Sequence, residues 1–138
     1  MRCLLVLLSG LVITASAAAQ APPPIDGVTW SVSNGPDNLR YYQPDRSFEV
    51  ADWQAAVKLL PRGDKDSSIW SIFDHPRDHP ESLVIRETVA GAEGVVTSPA
   101  ALYAATIVAA RAKLPPGAAQ IPKSPDDPKN LLEVWVAP

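Results

Sequence analysis

Cysteine is almost missing from this chain: the only one is Cys3. There are two histidines, His75 and His79, and one methionine, Met1. Neither sign of charge dominates, with 12 Lys and Arg against 15 Asp and Glu and a net charge of −3. Each shortage excludes something. Without a second cysteine there is no internal disulfide, and beyond Cys3 no thiolate nucleophile or thiolate metal site. Without a basic excess there is no electrostatic footprint for nucleic acid and no pull toward anionic lipid. The chain contains no Gly-x-Gly-x-x-Gly, no Gly-Lys-Ser/Thr and no Gly-x-Ser-x-Gly, so it offers no recognisable phosphate loop or nucleophile elbow. No internal repeat is visible, and long apolar runs are confined to one place.

That place is the start. Arg2 precedes an apolar run, Leu4 to Ile13, broken only by Ser9 and Gly10, and small residues follow from Ala15 to Ala19. This is the layout of a secretory signal peptide over residues 1–19, cleaved after Ala19. The run is short for a membrane span, so no stable membrane insertion is expected after cleavage. Cys3 lies before the apolar run, where it cannot serve as a lipoprotein anchor. The expected destination is the periplasm or the secreted fraction. A proline-rich lead-in, 20–27, and one small domain, 28–138, then follow. A small exported domain without disulfides depends on its apolar core, and Trp30, Trp53, Trp70 and Trp135 are suited to build it.

The patterning predicts a β-α-β-β-α-β order. Val28 to Ser33 alternates with period two, as a half-buried strand does. After the turn signal at Asn34-Gly35-Pro36, a long loop carries Arg40-Tyr41-Tyr42. Ser47 is placed to cap a helix from Phe48 to Leu60, with Val50, Trp53, Val57 and Leu60 on one face. Ser68 to Phe73 and Ser82 to Val89 read as strands of a hairpin. Gly91 and Gly94 mark a turn. The run from Ser98 to Leu114 reads as the main helix: Ser98 as cap, Pro99 at the first position, alanine throughout, and Arg111 and Lys113 in the last turn. Leu131 to Val136 closes as a strand. The expected fold is α+β, ferredoxin-like or related, with two helices on one face of a small antiparallel sheet. The long proline-rich connection from Pro115 to Asn130 sits poorly with that order.

Three places carry candidate chemistry. The stretch Asp74-His75-Pro76-Arg77-Asp78-His79-Pro80-Glu81 repeats Asp-His-Pro, and His75, His79, Asp74 and Asp78 are metal-ligating types. Pro76 and Pro80 keep both histidines out of helical geometry, so a polar hairpin loop is the plainer reading. On the last strand, with Leu132, Val134 and Val136 inward, Trp135 and Glu133 point outward. Trp135, Phe73 and Ile69 would then form an apolar patch on the sheet face away from the helices. Such a patch either marks a partner surface or lies under the N-terminal segment or the proline-rich loop. Arg40-Tyr41-Tyr42 is a third candidate, as a binding edge. No cofactor is implied. These features point to a non-enzymatic binding domain whose partner is another envelope or secreted protein. A metal-binding protein and a small hydrolase with an unrecognised site are the alternatives.

Overall fold

The expected hairpin lies at the centre of a mixed, eight-stranded sheet. A computed structural model describes residues 22–138 apart from 78, 79 and 93. The expected signal peptide, 1–19, lies outside the described residues. The strands are β1 (Trp30–Asn34), β2 (Arg40–Pro44), β3 (Phe48–Glu49), β4 (Ser67–Asp74), β5 (Leu83–Ala90), β6 (Gly94–Ala104), β7 (Ala119–Ile121) and β8 (Leu131–Ala137). Two short helices, α1 (Trp53–Val57) and α2 (Ile107–Ala112), complete the regular structure. The spatial order is β1-β2-β6-β5-β4-β8-β7, with β3 also on β6. Only the pairings of β2 and β3 with β6 are parallel. Among the described residues no helix is long and apolar enough to cross a membrane.

This overturns the ferredoxin-like, two-helix expectation. The largest change is at the alanine-rich run. Ser98 to Ala104 is strand, the second half of β6, and the helix starts only at Ile107, capped by Thr106 Oγ1, which accepts from Ala109 N at 3.1 Å. Tertiary pairing overrides propensity here. The strand lies between β5 on one side and β2 and β3 on the other, and its small side chains let both helices approach closely. Pro99 is tolerated inside a central strand because it sits in a bulge. Arg86 pairs with Ala101 and Thr88 with Thr97, so three residues of β6 oppose Glu87 alone. On the other edge, β2 ends its pairing at Val96 and β3 begins at Ala100, leaving Pro99 between them. Ser98 Oγ accepts from Ala100 N at 3.0 Å, closing the bulge instead of capping a helix.

The other corrections are local. The expected helix from Phe48 to Leu60 is shorter: Phe48 and Glu49 are strand, and Asp52, not Ser47, caps α1. The expected loop at Arg40-Tyr41-Tyr42 is β2, an inner strand. The first strand is extended as expected but lies at the sheet edge, with Ser31 to Asn34 exposed. The proline-rich connection contributes β7.

Both helices cover one face of the sheet. Trp70 and Ile72 of β4, Leu83 and Ile85 of β5, and Ala100, Leu102 and Ala104 of β6 pack there against Ala56 and Ala110. Trp70, Ile72 and Ile85 are essentially inaccessible, and each contributes about 1.5–3 kcal/mol through burial. Neither α1 nor α2 is long enough to be stable alone. Each is held by this contact and by an arginine.

Candidate functional site

Period-two alternation along β5 puts Leu83, Ile85, Glu87 and Val89 on the helix-facing side. Glu87 is therefore an acid in a row of apolar residues, and it is wholly buried. Its partners come from β4 and from the loop after α1. Ser68, on β4, donates its hydroxyl to Glu87 Oε2 at 2.5 Å, and Trp70 Nε1 donates to Ser68 Oγ at 3.0 Å. Arg62, in the loop after α1, donates through Nη1 to Oε2 and through Nη2 to Oε1 at 3.2 Å. Arg62 Nη2 also reaches the carbonyls of Val57 and Leu60, each at 3.1 Å. One guanidinium thus closes the C-terminal end of α1 and neutralises the carboxylate beneath it.

A second unit of the same kind stands on β8. Glu133 is buried; Arg111 of α2 donates to both of its oxygens, with Nε at 3.0 and 3.1 Å, and Trp135 Nε1 donates to Oε1 at 2.9 Å. Hydrogen bonding from Arg111 is the main influence holding the Glu133 carboxyl below its ordinary pKa. Burial opposes that lowering, and the Trp135 indole adds to it. The same contact raises the pKa of Arg111. Trp70 and Trp135 are cross-strand partners, so the two units lie side by side under the helices.

Above the first unit is a cleft of about 300 Å³. Trp53 and Val57 of α1 line it together with Pro115, Pro116, Ala137 and Pro138. Arg62 and Ser68 are the polar residues of its lining. Gly117, with a φ of +83°, turns the chain after the two prolines and packs against Pro138. A left-handed residue there turns the chain from the two prolines into β7, which pairs with β8. The cleft thus has apolar and aromatic sides and a few fixed hydrogen-bonding groups, the usual make-up of a small-molecule site.

The residues singled out from the pattern are not all brought together. Ile69 and Phe73 do lie on the sheet face away from the helices, opposite Val136 and Leu131. Trp135 does not join them; it faces the helices, beside Glu133. Glu133, Trp135 and Ala137 are on the inward face of β8 because they pair with Ile72, Trp70 and Ser68 of β4; Leu132, at the bulge, packs against the same core, and Leu131 beyond it is turned to the other face, opposite Phe73. Asp74 ends β4, and His75, with a φ of +42°, starts the turn that follows. His75 Nδ1 is hydrogen-bonded to Asp74 Oδ1, and both side chains are about half exposed. Asp78 and His79 lie outside the described residues. Among those described, no group of three His, Cys, Asp or Glu side chains converges. Tyr41 packs its ring against Gly35, where a Cβ would stand 2.0 Å from a ring carbon. Gly91 and Gly94 join in the β5–β6 turn, Gly91 N donating to Gly94 O at 2.9 Å.

Arg62, Glu87 and Arg111 went unmarked by motif reading. For Glu87 a signal exists: an acid at the inward phase of an otherwise apolar strand must be paired. For the arginines there is none, since both partners are more than twenty residues away in sequence. Comparison with protein-family models, with curated proteins and with solved structures finds no match.

Proposed function

We propose that this chain is a small exported binding domain, and that its ligand seats in the cleft between α1 and the Pro115–Pro116 turn. The supporting observation is the cleft itself: a space of about 300 Å³ lined by Trp53, Val57, Pro115, Pro116 and Pro138 together with Arg62 and Ser68. Export is supported by the leader pattern from Arg2 to Ala19. Because Glu87 already neutralises Arg62, the cleft favours an uncharged acceptor, such as an amide carbonyl, over a carboxylate. The apolar walls favour a ring or branched aliphatic group. A side chain and carbonyl of an envelope or secreted protein, or a free small amide, has that chemistry.

The test is a titration of the 15N-labelled protein with N-cyclohexylacetamide, following the Trp53 indole and the Arg62 side-chain resonances. Saturable shifts at both, with a dissociation constant below about 10 mM (roughly −3 kcal/mol), support the reading. So does loss of the Arg62 shift in Trp53→Ala. The absence of a shift at either group, or an equal Arg62 shift in Trp53→Ala, would overturn it.

A further inference from the structure

The two edges of the sheet are not alike. The β7 edge is three residues long, preceded by Pro115-Pro116 and followed by Pro122 and Lys123. Short length, proline and lysine are the devices that keep a sheet edge from pairing with another chain. The β1 edge is longer, has no lysine beside it, and meets proline only beyond its end, at Pro36. Trp30-Ser31-Val32-Ser33-Asn34 carries no charge and no proline, and Val32 is 58% exposed.

The inner ladder settles which backbone groups face outward. Asp45 N donates to Thr29 O at 2.9 Å, and Gly35 N donates to Leu39 O at 2.7 Å. Both fix the odd-numbered residues of β1 as those bonded to β2, because antiparallel pairing alternates along a strand. Ser31 and Ser33 therefore direct their N–H and C=O groups to β2. Trp30, Val32 and Asn34 direct theirs to the outer edge, where no described strand pairs.

We infer that this edge joins a second copy of the same chain, β1 to β1 antiparallel about a two-fold axis at Val32. The strand is suited to itself. About Val32 its pattern reads the same in both directions, Ser-Val-Ser, so Val32 meets Val32 and Ser31 meets Ser33 of the other copy. Trp30 and Asn34 pair their outward amides and carbonyls at either end. No like charges are opposed, which would penalise such a pair. The sheet then continues through both copies, and the self-complementary patch is of the isologous kind that a two-fold dimer requires. The edge lies on the far side of the sheet from β7 and does not involve the cleft, so it stands or falls apart from the binding proposal.

Amide hydrogen exchange by NMR on the full chain tests this. The amides of Trp30, Val32 and Asn34 are expected to exchange about tenfold more slowly in concentrated than in dilute samples. Those of Ser31 and Ser33 stay protected in both. Val32→Pro removes an outward N–H while sparing the ladder to β2; it should give a monomer by light scattering with Ser31 and Ser33 still protected. Should that variant lose β1, Val32→Lys, which sets two ammonium groups face to face, replaces it. The inference is overturned by fast exchange at Val32 at every concentration. It is equally overturned by protection that does not depend on concentration, which would mean that another segment or partner covers the edge. A mass unchanged by Val32→Lys would also overturn it.

Discussion

Replacing Arg62 by alanine should destabilise the protein far more than its place in a surface loop suggests. Its guanidinium is the charged partner of Glu87, which has no solvent exposure. Removing one member of a buried pair leaves the other charge in a dry site, at a cost of about 3–5 kcal/mol. The carbonyls of Val57 and Leu60 lose their donor as well, though water can reach the end of α1 and replace part of that. Against a total stability of about 5–15 kcal/mol, the variant should be marginal. Trp53, at the start of α1, should move to a wetter environment as the helix frays. Urea unfolding followed by tryptophan emission measures both effects. The decisive comparison is the double variant Arg62→Met, Glu87→Leu. With neither charge present, it should lie closer to the wild type than Arg62→Ala does, losing mainly the Ser68 hydroxyl contact, about 1 kcal/mol. A loss under about 1 kcal/mol for Arg62→Ala would refute the argument, as would a double variant equal to the sum of its singles.

Two further outcomes follow from the structure. Glu133 has a folded-state pKa below its unfolded value, so its contribution is present above about pH 4.5 and is lost as pH falls through the lower, folded value. Glu133→Gln should therefore cost about 1–2 kcal/mol at neutral pH, a figure discounted because Arg111 is half in water. It should cost progressively less below pH 4.5, as acid titration of both proteins by circular dichroism would show; a pH-independent difference would count against the ion pair. Gly35→Ala forces a methyl into the Tyr41 ring and should cost about 1–3 kcal/mol. A lower midpoint in thermal unfolding, partly recovered by adding Tyr41→Leu, is the expected result.

The hairpin of β4 and β5 and the closing strand β8 were legible in residue order, because β-branched and aromatic residues alternate there between turn signals. The run around Ser98 was not. Its cap, its proline and its alanines all favour helix locally, yet strand neighbours on both sides claim its backbone. The phase of β8 was also hidden. Leu132, Val134 and Val136 look inward by hydrophobicity, but pairing with Ile72 and Trp70 of β4 puts Glu133 and Trp135 on the helix side, and only Leu132, at the bulge, joins them there. The cleft was illegible for a related reason: its walls come from residues 53–62 and 115–138, and no spacing rule links them.

What residue order alone determined is the local alternation, the apolar run from Leu4 to Ile13, and, with Cys3 the one cysteine, the lack of an internal disulfide, since each depends only on which residues are present and on their immediate neighbours. Tertiary structure alone decided which alternating face is inner, whether the alanine-rich run coils or extends, and where the buried carboxylates find their cations. Those outcomes depend on groups brought from distant parts of the chain. An acid can enter the core, or an alanine run remain extended, only if a specific partner meets it there.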